Sequence, residues 1–203
     1  MSVLLGGNAG EVGFELITTL LTGDSALNTR QMLLVNLLTD AFPAAALAVS
    51  EQKNTSPGPH DEAALWKDIG IRGVATASGA TLAWLIARPT GTARHASTVA
   101  LVGLVGAQLL QTLIDSNSPG VVLTSVGSLA AMGVVISTPG ISKLFGCTPL
   151  TPIGWAQGLL AASAATAVSA LAPGVLTNIA DRFRTADSVE QQTDSAQVEQ
   201  DRQ

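Results

Sequence analysis

The sequence predicts an all-α protein, a multi-pass transmembrane helical bundle of six helices. Composition gives the first reason. The chain is 47% hydrophobic and 12% charged, with a mean hydropathy of +0.39, whereas a soluble domain carries about a quarter charged residues. The second reason is length: the apolar runs approach the roughly 20 residues that cross a bilayer. The third is that Trp66, Trp84 and Trp155 fall near the ends of those runs, as in an aromatic belt at the membrane surface.

The first segment runs from about Ser2 to Leu21 and carries Asn8, Glu11 and Glu15. The turn LTGDSALN leads to the second, about Arg30 to Val49, which carries Asn36, Thr39, Asp40 and Pro43. A long polar connector ends in acids near Glu62, which suit the positive end of a helix dipole. The third helix then spans about Ala63 to Ala87, with Arg72 towards its polar end. After the basic connector ARPTGTARHA comes the fourth, about Ser97 to Ile114. The fifth, about Pro119 to Ser137, starts on a proline whose missing N–H would have had no helical partner there. STPGISKLFGCTPLTP links it to the sixth, about Pro152 to Thr177. Glycines recur at packing spacing, Gly6 with Gly10, Gly103 with Gly106 and Gly154 with Gly158, so helix backbones can approach closely. Residues 1–180 are thus expected to form one membrane domain. Residues 181–203 are expected to be a disordered acidic tail, with five acids against Arg202 from Asp187 onward.

These features narrow the function. A lone cysteine, Cys147, permits no intrachain disulfide. His60 and His95 lie in polar connectors, so zinc- or iron-type clusters are not expected. The acidic tail argues against a nucleic-acid partner. The first basic residue is Arg30, too late for a secretory signal. An even helix count puts both termini on one side. Lys53, Lys67, Arg72, Arg182, Arg184 and Arg202 on that side, against Arg30, Arg88, Arg94 and Lys143, lean towards the cytoplasm, in the plasma membrane.

The acids within the membrane carry the functional signal. A charge at the bilayer centre costs about 2.5–3.5 kcal/mol on insertion scales, so such groups face the bundle interior and generally serve a function. Asn8 and Glu11 are three residues apart, and Asn36, Thr39 and Asp40 share one helix face by the same spacing. All present oxygen atoms, which a hard cation needs in place of water. Pro43 removes a helical hydrogen bond and frees a carbonyl near residue 39. Taken singly, Asn8, Asn36 and Thr39 could equally pair across helices. Glu11 and Asp40 in one layer favour ion or proton handling. Glu15, one turn beyond, is left out of the site.

NAGEV at 8–12 and QMLLVNLLTDAFPAAALA at 31–48 resemble the fifth and sixth transmembrane helices of type II, calcium-pump-like P-type ATPases, with Leu34 at the position of the family's tryptophan. ALWKDIGIRG resembles the entry to the seventh helix and STVALVGLVGAQLLQTL the eighth, with Gln108 where calcium pumps carry a glutamate. The last two segments fit the ninth and tenth helices by position and length. The resemblance covers about residues 2–178 and implies cation ligands at Asn8, Glu11, Asn36, Thr39, Asp40 and Gln108. The transported cation is left open among Ca²⁺, Mg²⁺, Mn²⁺, Na⁺, K⁺ and H⁺. The family's Asp-Lys-Thr-Gly-Thr phosphorylation sequence, nucleotide domain and Thr-Gly-Glu actuator motif do not occur, and Thr22-Gly23-Asp24 sits in a short turn. The chain is therefore expected to hold no ATP site and not to hydrolyse ATP by itself. Its expected partners are the lipid bilayer and either the N-terminal half of a split pump or an intact pump. The alternatives are a non-catalytic membrane interaction protein and a decayed gene fragment.

Overall fold

A computed structural model describes residues 2–41, 62–115 and 118–171. Seven α-helices account for most of them, with no strand among the described residues. They are α1 (Ser2–Thr22), α2 (Thr29–Asn36), α3 (Glu62–Ala87), α4 (Ala93–Asp115), α5 (Pro119–Ser137), the short α6 (Pro139–Leu144) and α7 (152–171). A π-helical turn, Leu37–Ala41, continues α2. The bundle belongs to the compact unit Met1–Ala167. The second unit, Val168–Gln203, is described only through the last residues of α7. Pro43, the end of the expected second span and the expected acidic tail lie outside the described residues.

Among the described residues the expected segments are helical, the second as far as Ala41 and the sixth as far as residue 171, with two refinements. The expected fourth helix begins at Ala93, four residues earlier, because ARHA joins the helix instead of the connector. The linker after α5 is not simply a loop: Pro139–Leu144 forms α6. This helix ends in a Schellman motif, with Cys147 N–H donating to the Ser142 carbonyl and Gly146 N–H to that of Lys143. Gly146 takes φ +71°, the left-handed region a glycine enters most easily. Three helices, Trp66–Thr90, Ala93–Asp115 and Pro119–Ser137, are long and apolar enough to cross a membrane. α1 has the length too, with Asn8, Glu11 and Glu15 within it.

α4 is the hub. Every residue from Ala96 to Leu109 is buried, so a helix apolar on nearly all sides suits its position. It packs against α3, and α3 packs against α1. Small residues set these distances. A Cβ at Gly10 would lie 2.5 Å from the Thr76 Cβ and 2.9 Å from the Gly73 carbonyl, and one at Gly158 would lie 2.7 Å from Val102. In lipid, where apolar burial gives no advantage between helices, such close packing is what holds them together. Trp84 is buried, with the Arg88 guanidinium 4.5 Å from its ring centre, whereas Trp66 is exposed.

The end of the bundle at α2 and α6 is closed by a polar clamp. Asn28 caps α2, accepting from the Arg30 and Gln31 N–H groups at 2.9 and 3.0 Å, while the Gln31 side chain accepts from Asn28 N–H at 3.0 Å. Arg30 donates to the Leu144 carbonyl at 2.8 Å and Asn28 to that of Phe145 at 3.2 Å, which neutralises the exposed C-terminal carbonyls of α6.

Candidate cation site

The packing of α1 on α3 determines where its polar residues go. With Gly6, Gly10 and Gly13 against α3, the neighbouring stripe of Gly7 and Glu11 turns towards α4. Glu11 is 3% exposed, and its Oε1 accepts from Gln108 Nε2 at 3.0 Å. A carboxylate this deep needs such a donor. Gly7 makes room for it: a Cβ there would lie 3.1 Å from the Gln108 amide carbon.

The second group of residues sits on the π-turn. A π-turn widens the helix and is often found at functional sites. The Thr39 hydroxyl lies 3.0 Å from the Val35 carbonyl and 3.2 Å from Asp40 Oδ1. Asp40 is half-buried on the π-turn, which packs against α4. From α5, the buried Ser128 hydroxyl donates to the Leu38 carbonyl at 2.6 Å.

Of the six residues expected to be ligands, Glu11 and Gln108 are brought into contact, and Thr39 and Asp40 adjoin one another on the turn. Asn8 and Asn36 are exposed among the described residues, and Asn36 adjoins the exposed Leu33 and Leu37. Gln108 of α4 thus meets Glu11 and Ser128 of α5 meets the π-turn, while Asn8 and Asn36 are exposed among the described residues. Among the described residues, no three His, Cys, Asp or Glu side chains gather as a metal-binding group. The charge available here is that of the two carboxylates, with neutral oxygens around them.

Glu15 has a different role. It accepts from the Ser25 hydroxyl and, at 3.1 Å, from Leu27 N–H, tying α1 to the turn before α2. α4 also carries two polar pairs to α3 beyond Gln108. Gln111 donates to the Thr76 hydroxyl at 3.1 Å, and Asp115 meets Arg72 at 2.5 and 2.7 Å. Gln108, Gln111 and Asp115 thus form one polar face of an otherwise apolar helix. Sequence reasoning passed over Gly7 and Ser128. Gly7 was hidden among other glycines, but Ser125 and Ser128, three residues apart on an apolar helix, were a visible stripe of hydroxyls.

Comparison with known proteins gives the family. Residues 24–173 match the family described as Cation transporting ATPase, C-terminus. The chain is 44% identical over 201 residues to Probable cation-transporting ATPase I of Mycobacterium leprae (strain TN), covering 85% of this chain and 12% of that protein. The protein of the same name from Mycobacterium tuberculosis (strain CDC 1551 / Oshkosh) is 42% identical over the same shares. A Calcium-transporting ATPase of Bacillus subtilis (strain 168) is 30% identical over 174 residues, 75% of this chain and 19% of that protein. The chain thus spans about an eighth of the length of the mycobacterial relatives it matches.

Proposed function

This chain belongs to the family of cation-transporting ATPase C-terminal domains, and from that premise we infer that it forms the intramembrane cation-binding part of an ATP-driven pump. The observation that carries this reading is the Glu11–Gln108 contact, made by the same helix, α4, that packs against the π-turn of Thr39 and Asp40. Buried carboxylates facing protein, with hydroxyl and amide oxygens around them, suit a hard cation stripped of water.

The ligands proposed are Glu11, Thr39, Asp40 and Gln108, with Asn8 and Asn36 contributing once they are covered. Polar asparagines are poorly placed against lipid, which supports a further helix there. That helix, the phosphorylation site and the nucleotide site belong to sequence outside this chain: the rest of a longer polypeptide or a separate N-terminal half. Two carboxylates favour a divalent ion, and Ca²⁺ and Mg²⁺ are the ions to test first. The site of action is the plasma membrane of a bacterium, with both termini in the cytoplasm. Within the pump, ATP-driven movement of the helices alters the spacing of these ligands and so releases the ion.

The test is cation-dependent ATP hydrolysis by a reconstituted pump containing this chain. Glu11→Gln and Asp40→Asn each abolish it, because each removes one of two carboxylates. Ordinary cation dependence in Asp40→Asn removes the basis of the site.

A further inference from the structure

The π-turn has a backbone carbonyl that takes its donor from another helix. In the π register a carbonyl pairs with the N–H five residues on. For Leu38 that position is Pro43, whose ring nitrogen carries no hydrogen. A buried carbonyl without a donor is costly, and more so in lipid, where water cannot replace it. The donor comes from another helix: Ser128, fully buried on α5, gives its hydroxyl to the Leu38 carbonyl at 2.6 Å.

Leu38 directly precedes Thr39 and Asp40, so this bond fixes the peptide that leads into both. Thr39 in turn uses its hydroxyl on the Val35 carbonyl and on Asp40. The turn is thus held from inside by Thr39 and from outside by Ser128. α5 has few other ties to this region: most of its surface is exposed, with Ser125, Ser128, Met132 and Ile136 its buried residues. Ser128 is where α5 grips the turn through a hydrogen bond.

We propose that Ser128 is a positioning residue of the cation site, whose hydroxyl bonds the Leu38 carbonyl and holds the π-turn that presents Thr39 and Asp40. It touches no ion itself. Movement of α5 is thereby transmitted to the ligands, giving the pump a point of control on a helix that supplies no ligand. This rests on the cation-site reading for its consequence, but not for the bond.

The experiment uses the full chain in lipid nanodiscs and two measurements. Hydrogen exchange across residues 33–41 rises at least about tenfold in Ser128→Ala, a loss of about 1.4 kcal/mol of local stability. Ser128→Thr, which keeps the hydroxyl, stays near the parent. Thr76→Ala, which removes a comparable buried bond between α3 and α4, leaves residues 33–41 unchanged. Unchanged exchange there in Ser128→Ala, or an equal rise in every helix, overturns the proposal. Mn²⁺ binding, followed by its electron paramagnetic resonance signal, weakens about tenfold in Ser128→Ala and recovers in Ser128→Thr. Parent-like Mn²⁺ binding in Ser128→Ala overturns the link to the ligands. Absence of Mn²⁺ binding in the parent counts against the cation-site reading, and exchange then still decides whether Ser128 holds the turn.

Discussion

Gln108 donates its amide to the Glu11 carboxylate at 3.0 Å, joining helices whose contacting residues stand 97 apart in sequence. The contact depends on a residue that has no side chain. Gly7 lies one turn before Glu11 on the face towards α4, and it leaves the space the Gln108 amide occupies.

Gly7→Ala should therefore act on the site without touching a charge. The added methyl meets the amide at 3.1 to 3.3 Å, too close unless the side chain moves. The amide must give by a few tenths of an ångström, which weakens its bond to Glu11; loss of the whole bond to a charged group costs about 1.5–3 kcal/mol. Gly70→Ala, with nothing within 4 Å of its Cβ, is the control. Thermal unfolding in detergent should separate them, with Gly7→Ala lower by several degrees and Gly70→Ala unchanged or slightly higher. Equal midpoints would mean the amide has other room.

This dependence shows what the sequence could and could not disclose. Carboxylates in apolar segments stand out because lipid penalises them, so Glu11 and Asp40 could be singled out from the sequence. Helix boundaries were visible for the same reason: Pro119 and the apolar periodicity place α5 at the residues where it occurs. The Gly7–Gln108 fit and the Ser128–Leu38 bond were not, since each depends on the rotation of one helix against another. That rotation is set by glycine contacts such as Gly10 on Thr76, which a single sequence cannot assign to partners. Spacing also could not separate Asn8 and Asn36, exposed here, from Glu11 and Thr39. A shared face is about 100° wide, and only packing decides which part of it turns inward.

Gln108→Glu should make the fold depend on a cation. The substitution replaces a donor facing an acceptor with two acceptors about 3 Å apart, in the place of the present bond. Like charges so close are unfavourable until a counter-ion lies between them. In chelator the variant should unfold several degrees below the parent, and millimolar Ca²⁺ or Mg²⁺ should restore most of the loss. The parent should show a smaller cation effect, since its amide already satisfies Glu11. A variant equally unstable with and without divalent ions would show that Gln108 and Glu11 do not border an ion site.

The connector after α6 offers a test independent of any ion. Cys147 is 2% exposed, Gln31 Nε2 donates to its sulfur at 3.5 Å, and burial pushes its thiol above the ordinary range, with the bonds from Gln31 and Thr98 opposing the shift. The thiolate is the form that reacts, so both the raised pKa and the burial slow alkylation at pH 8. The neutral thiol's preference for the folded state contributes fully below the unfolded value of about 8.5 and is lost as pH rises through the higher folded value. Gly146→Ala should undo the protection locally. It forces a side chain into φ +71° and towards the Asn28 amide, at a cost of about 1–2 kcal/mol for the backbone alone. The open fraction of the connector then rises about tenfold, and so should the rate of alkylation by a small maleimide. Gly120→Ala, in open space, should react like the parent. Equal rates in Gly146→Ala and parent would mean that Cys147 is reached without release of the clamp formed by Asn28, Arg30 and the end of α6.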